Sequence, residues 1–209
     1  MGTPNHEKTQ NLTTRQKAVL DSALQLLVAG GEKALTTSAI ARSAGCSKES
    51  LYKWFGDRDG LLAAIVARQA SKVYAPGLPA RDFTLLQFTQ ELEKFAHDLL
   101  AVVSGEVSIA LNRLAVSSTS KGDASLGSLL QEHGRGRIGK AVTSILQRGI
   151  DAGFLQAADT RTAYQDLYGL ILRDLHLRLL LGDSLKIEET DFNAAAHRAI
   201  AQFMKLYGA

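Results

Sequence analysis

Residues 36–55 read "TTSAIARSAGCSKESLYKWF", and their reading decides the fold. Thr36 is placed to cap a helix, because its hydroxyl can accept a backbone N–H that has no helical partner. Ile40, Ala41 and Ala44 then recur at helical spacing. Gly45 stops the run and permits the positive φ of a tight turn. Ser47 is a second capping residue, and behind it Leu51 and Phe55 lie four apart, on one face of a short helix. A helix, a turn of a few residues containing Gly and a second helix form a helix-turn-helix unit. In such a unit the first helix braces the second, whose outer face enters the major groove of DNA. Leu51 and Phe55 anchor that second helix, leaving Lys48, Glu49, Ser50, Tyr52, Lys53 and Trp54 to face outward or flank the groove. Ser47 and the N–H groups beside it are suited to a phosphate.

Helical periodicity continues on both sides. Upstream, Val19, Leu20, Ala23, Leu26 and Leu27 share one face of a helix over residues 14–29, which Gly30-Gly31 should end. Downstream, Asp57 caps a helix over residues 58–74 with Leu61, Leu62, Ile65 and Val66 inward. Pro76 and Pro79 in "YAPGLPARD" mark a connection, since proline breaks helix interiors. Beyond it, Phe88, Leu92, Phe95 and Leu99 form a stripe. Residues 105–116 read as a helix with a trace of period-two alternation in "VSIAL", and residues 125–152 as one long helix ended by Gly153. Another helix begins near Asp159 or Thr160, and the last runs over about 189–207. The expected fold is all-α: a helix-turn-helix domain at residues 12–74, with three helices at its heart, and a larger helical domain at residues 80–209, about nine helices altogether.

Composition agrees with a globular protein and narrows its partners. The 209 residues are 45% hydrophobic and 22% charged, with no apolar run approaching the roughly 20 residues that span a bilayer. The first residues, "MGTPNHEKTQNLTT", lack the apolar centre of a signal peptide, so a cytoplasmic location without membrane attachment is expected. The single cysteine, Cys46, reads as a small buried hydrophobe. Residues 1–75 carry ten Lys/Arg against six Asp/Glu, whereas residues 76–209 carry fourteen against fifteen. A basic head on a near-neutral body fits polyanion binding. Catalysis is not expected. No Gly-rich phosphate loop follows a strand, His6, His97, His133, His176 and His197 lack metal-ligand spacing, and Cys46 has no evident base. No cofactor or metal is implied.

The run "GEKALTTSAIARSAGCSKESLYKWFGDRDGLLAAI" closely resembles the DNA-binding domain of the tetracycline-repressor (TetR) family. The matching positions are Thr36, Ile40-Ala41, Ala44-Gly45-Cys46-Ser47, Leu51-Tyr52, Phe55, Arg58 and Leu61, and the likeness spans residues 12–72. Cys46 stands where Val is usual, Glu49 where small residues are frequent, and Lys53-Trp54 replace the commoner Tyr/His pair. The resemblance implies a DNA-binding transcriptional regulator, in the main a repressor that a small-molecule effector releases from a palindromic operator. Thr36, Thr37, Tyr52, Trp54 and Arg58 would hold the DNA backbone, while Lys48, Glu49, Ser50 and Lys53 would approach base edges. Glu49 can accept a hydrogen bond from cytosine N4.

The same resemblance implies a homodimer through the last two helices. Tyr164, Leu167, Tyr168, Ile171, Leu172, Leu175 and Leu179 form a stripe on the penultimate helix; Phe192, Ala195, Ala196, Ala199, Ile200, Phe203 and Tyr207 form one on the last. An alternative is that these stripes complete the core of one chain. Between head and dimer helices the family usually holds an effector pocket. Phe88, Leu92, Phe95, Leu111, Tyr168 and Leu172 are candidates for its apolar wall. His97, Arg113, His133, Asp166, Arg173 and His176 are candidates for its polar groups. Arg113, within "ALNRLAV", asks for a carboxylate from the protein or from an anionic ligand. Two rival readings remain: a ligand-independent regulator or activator, and a helical adaptor that does not bind DNA.

Overall fold

The computed structural model describes residues 12–73, 77, 82–156 and 159–209. The N-terminal tail, Pro76 and Pro79 lie outside these. The described residues are helical throughout: α1 (Thr14–Ala34), α2 (Thr37–Ser43), α3 (Lys48–Phe55), α4 (Arg58–Ala70), α5 (Leu85–Ser104), α6 (Glu106–Ser120), α7 (Ser125–Leu129), α8 (Arg137–Asp151), α9 (Thr160–Leu172), α10 (Leu175–Leu180) and α11 (Phe192–Tyr207). One isolated bridge pairs Leu155 with Gly208.

The chain packs as two compact units. The first holds the residues up to Ser71 together with Glu106–Gly134; the second holds Lys72–Gly105 and Arg135–Ala209. In the first, Val19, Leu20 and Leu27 of α1, Ile40 of α2, Leu51 of α3 and Leu61, Leu62 and Ile65 of α4 share a core with Leu111 of α6. Val107, Ala110 and Leu114 of α6 line the rim of that core, and Leu126 of α7 packs with Val66 and Ala115. Packing therefore does not follow a single cut near residue 77. α6 and α7, expected with the C-terminal domain, use their apolar faces to cover the head. α4 is tied on two sides within this unit. The Arg68 guanidinium donates to both Asp21 carboxylate oxygens, at 3.1 and 3.0 Å, and the buried Gln69 amide donates to Ser108 Oγ at 3.1 Å.

The second unit closes around Phe88, Leu92, Phe95 and Leu99 of α5, Val142, Ile145 and Leu146 of α8, Ala163, Leu167 and Ile171 of α9, and Ala196, Ala199, Ile200 and Phe203 of α11. α11 lies against both α5 and α9. Most of the stripe assigned to a subunit partner is thus consumed within one chain: Tyr164, Leu167, Ile171, Leu172, Ala196, Ala199, Ile200 and Phe203 are buried core residues. Periodicity marks a face as buried without naming what buries it.

The regular helix of α1 breaks at Gly31 (φ 60°, ψ −152°), where Gly30-Gly31 are read to end it, and a further turn carries on to Ala34. Other helix boundaries differ from expectation. Residues 125–152 are not one regular helix, because a π-helical stretch, Leu130–Gly136, separates α7 from α8. Its "HGRG" supplies two glycines, which weaken regular helix. The penultimate helix breaks at Arg173, which adopts φ 48°, so Leu175 and Leu179 belong to a separate α10. α11 starts at Phe192 under an Asp191 cap, after a 3-10 turn at Ile187–Glu189.

Candidate nucleic-acid interface

The caps read from the sequence form. Thr36 Oγ1 accepts from Ala39 N at 3.1 Å, Ser47 Oγ from Ser50 N at 3.1 Å, and Asp57 Oδ1 from Gly60 N at 2.8 Å. Gly45 takes φ 60°, and Cys46 N donates back to Ala41 O at 2.9 Å, which closes the turn between α2 and α3. At Gly60 the first turn of α4 passes so close to the end of α3 that an added Cβ would stand 2.1 Å from the Phe55 carbonyl oxygen. Only glycine permits that approach.

α3 is eight residues, about 12 Å long, a length commensurate with a major groove about 12 Å wide. Leu51 is 1% exposed and locks the helix to the head core. On the other side Lys48, Glu49 and Lys53 are exposed and Tyr52 is 48% exposed. Lys48 and Tyr52 are four apart, as are Glu49 and Lys53, so the four form one outer face. Ser50 is half-buried; Thr36 and Arg58 are exposed and Thr37 is half-buried.

Three details depart from the expected picture. Trp54 is half-buried and packs against the head core beside Phe55, their rings meeting edge to face with centroids 6.3 Å apart. Phe55 itself is only partly buried, so Leu51 is the principal anchor. The start of α3 is also less free for a phosphate than its sequence suggests. Ser50 N is taken by Ser47. The Glu49 carboxyl is held below its usual range first by its own backbone N–H and then by the Ser47 hydroxyl. A carboxylate already sits where an anion would approach. Arg58 acts on Asp123 of the same unit, whose carboxyl is lowered chiefly by Ser125 and to a lesser degree by Arg58.

Arg15 was not singled out by the sequence. Its guanidinium donates to the Gly45 carbonyl at 2.7 Å and braces the turn from α1. Thirty residues separate the partners, so no local pattern announces the contact.

The residues expected to contact an effector are divided between the units. Arg113, His133 and Leu111 belong to the first, where Arg113 is exposed on α6 rather than enclosed in an apolar segment. Phe88, Leu92, Phe95, Tyr168, Leu172 and His176 belong to the second. Phe88, Leu92 and Phe95 are fully buried among core side chains. The Tyr168 ring lies under the Arg135 guanidinium, 4.6 Å from the ring centroid, and burial pushes its phenol up. His176 Nε2 is buried with no hydrogen-bond partner among the described residues, and burial pushes its imidazole down. Asp166 and Arg173 line an open groove with Gln165, Gly169, Leu170, Gln202 and Leu206; His97 lines another, between α5 and α11. Among the described residues no single helix is long and apolar enough to cross a membrane.

Comparison with known proteins agrees with this geometry. Residues 19–65 match the model for bacterial regulatory proteins of the tetR family, and residues 90–209 match that for the C-terminal domain of AefR-like transcriptional repressors. A TetR transcriptional regulator from Agrobacterium tumefaciens is 50% identical, with 95% of this chain and 96% of that one covered and a TM-score of 0.83. A TetR-family regulator from Mesorhizobium loti shares the fold over the full length of both chains at 22% identity, with a TM-score of 0.75. The uncharacterized HTH-type regulator YvkB of Bacillus subtilis is 38% identical over 55 residues, 26% of this chain and 29% of that protein. Regulators of this kind are typically non-enzymatic, ligand-responsive DNA-binding repressors that form homodimers. The capped helix-turn-helix, its outward-facing α3 and the helical second unit together make this chain a member of the TetR family of transcriptional regulators.

Proposed function

We propose that the chain is a cytoplasmic repressor that binds a palindromic operator as a homodimer and is released by a small-molecule effector. The observation that carries the DNA-reading assignment is the two-sided character of α3, with Leu51 fully buried opposite an exposed quartet of Lys48, Glu49, Tyr52 and Lys53. Lys48, Glu49, Ser50 and Lys53 read base edges. Thr36, Thr37, Ser47, Tyr52 and Arg58 hold phosphates, and Trp54 sets the tilt of α3 from its place on the head core. Glu49 has to exchange its bond to its own backbone for one to the duplex, which favours cytosine at its position.

Dimerisation uses the outward faces of α9 and α11, since their inward faces already fill the chain's own core. The effector acts on the second unit, where Phe88, Leu92, Phe95, Tyr168, Leu172 and His176 gather; Arg113 and His133 serve the first unit instead. It shifts the population of DNA-competent dimers by its differential affinity for the two states, a coupling of about 1–3 kcal/mol.

The test separates reading from anchoring. Lys48→Ala is expected to relax sequence preference at one position, a loss of about 1–3 kcal/mol on the selected operator, with little change on random duplex. Arg58→Ala is expected to weaken both duplexes alike and to flatten the salt dependence by about one counterion. Competition binding at two salt concentrations measures this. A common factor lost by both variants on both duplexes sinks the division of roles.

A further inference from the structure

Resting on the effector reading above, we infer that the effector is an organic monocarboxylate with an apolar body, and that Arg135 with the phenols of Tyr164 and Tyr168 forms its anchor.

The anchor starts from an unmet hydrogen bond. Tyr164 is 7% exposed, and its hydroxyl has no hydrogen-bond partner among the described residues. A buried hydroxyl without a partner costs free energy, and the large majority of such groups in folded chains are satisfied. The ring is pressed against α8, where a Cβ added at the buried Gly139 would stand 3.0 Å from Tyr164 Cε1 and 3.6 Å from the hydroxyl oxygen. The hydroxyl is therefore held beside the first turn of α8. Immediately before that turn comes the π-helical stretch that carries Arg135. The Arg135 guanidinium lies 4.6 Å from the centroid of the Tyr168 ring, and that ring is 5.9 Å from the ring of Tyr164. Arg135 is exposed, and no carboxylate pairs with it among the described residues. Burial, and to a lesser degree Tyr168, pushes the Tyr164 phenol up to about 12, and burial pushes the Tyr168 phenol up; the charge of Arg135 works against burial on both. The run "HGRGR" at 133–137 thus sets a cation without a counter-ion beside a buried donor without an acceptor, on a π turn of the kind that recurs at functional sites.

This donor set selects the ligand. A planar guanidinium matches a carboxylate with two parallel N–H···O bonds, and the Tyr164 hydroxyl adds a third donor. That pairing is stronger than a cation–π contact at an exposed guanidinium. An arriving carboxylate therefore takes Arg135 from the Tyr168 ring and leaves the ring to cover the rest of the ligand. One positive charge balances one negative charge. A phosphate dianion would bring a second charge to phenols that burial already keeps neutral, and no second cation acts on either of them. Tyr164 belongs to the core of the second unit, and Ile138 and Tyr168 pack against that core, so whatever follows the carboxylate meets apolar surface.

The experiment uses the full-length protein with octanoate, 3-phenylpropanoate and the uncharged amide of each. Isothermal titration measures binding, and fluorescence anisotropy measures release from operator DNA. Both acids are expected to bind at neutral pH, at least about tenfold more tightly than their amides, and to release operator. Arg135→Gln and Tyr164→Phe are each expected to weaken acid binding about ten- to a hundredfold, the effect of losing a hydrogen bond to a charged group. Arg137→Gln, an exposed arginine two residues on, controls for general charge and should leave binding within about twofold of wild type. Tyr164→Phe should melt no lower than wild type, since it removes a buried hydroxyl that has no partner; a lower melt would show that hydroxyl already satisfied within the chain and would overturn the anchor. If acids and amides bind and release operator equally, or if Arg137→Gln loses as much as Arg135→Gln, the carboxylate anchor is overturned and the effector reading stands. If the acids bind through Arg135 but leave operator affinity unchanged, the carboxylate site stands and its effector role falls with the effector reading. If neither acid binds at millimolar concentration, the inference is overturned whatever the amides do.

Discussion

Leu51→Ala is expected to destabilise the first unit by about 3 kcal/mol and to lower affinity for operator by more than tenfold. Leu51 is the one fully buried side chain of α3 and lies among Val19, Leu20, Ile40 and Leu61. Truncating a buried leucine removes its transfer energy and leaves a cavity, at a cost of about 2–5 kcal/mol. The site has little capacity to collapse, because α3 is only eight residues long and is fixed at both ends, by the Ser47 cap and by the close pass of Gly60 against Phe55. What relaxes is the seating of the helix, and with it the pitch at which Lys48 and Lys53 meet a duplex. Denaturant melts give the stability change, and fluorescence anisotropy on operator DNA gives the affinity. The informative contrast is Lys48→Ala, an exposed residue, which should change binding while leaving the melt within about 0.5 kcal/mol of wild type. A Leu51→Ala protein that melts and binds as the wild type does would remove α3's anchor from the account.

The second large effect belongs to Phe88. Phe88→Ala is expected to cost about 3–5 kcal/mol, the range for a buried phenylalanine. Its ring is fully buried in the second unit, with Phe83 and Phe154 at centroid distances of 6.4 and 6.0 Å. The other wall is Gly149 of α8, where an added Cβ would stand 2.5 and 2.8 Å from two Phe88 ring atoms. Gly149→Ala therefore sets a gain of about 1 kcal/mol in helix propensity against overpacking worth about 1–3 kcal/mol. The clash prevails, because the ring is enclosed and cannot swing away, so a net loss is expected. Combining Gly149→Ala with Phe88→Leu should recover part of that loss, a coupling that thermal or chemical denaturation detects. Should Phe88→Ala prove neutral in stability while abolishing effector binding, Phe88 is a pocket wall and not a core residue.

The elements that decide DNA binding were legible because their signals are local. Thr36, Ser47, Asp57 and Asp159 each cap a helix within three residues of themselves, and Gly45 supplies its own turn. The apolar stripes on α5, α9 and α11 were equally plain. What periodicity left open was the identity of the neighbour. The stripe of α11 closes its own chain's core, and α6 covers the head although it follows the proline-marked connection. Breaks imposed by tertiary structure were also silent: Arg173 enters the left-handed region without the glycine that usually signals it, and the π-helical turn at 130–136 interrupts a run that reads as continuous helix. Long-range polar contacts left no trace either. Arg15 reaches Gly45, Arg68 reaches Asp21 and Gln69 reaches Ser108 across 30 to 47 residues of sequence. The candidate effector residues were the hardest to group from sequence, since a pocket is a property of several elements at once; Arg113 and His133 lie in the first unit and the others but Leu111 in the second.

A pair of α3 helices reading two grooves at once leaves its symmetry in the sequences it selects from a random duplex library. Enrichment of a two-fold symmetric motif is expected, its half-site centres about 34–36 Å apart or a multiple of it, with Lys48→Ala relaxing the same position in both halves. Enrichment of an unsymmetrical site, or no enrichment under low-salt conditions that permit duplex binding, would contradict it.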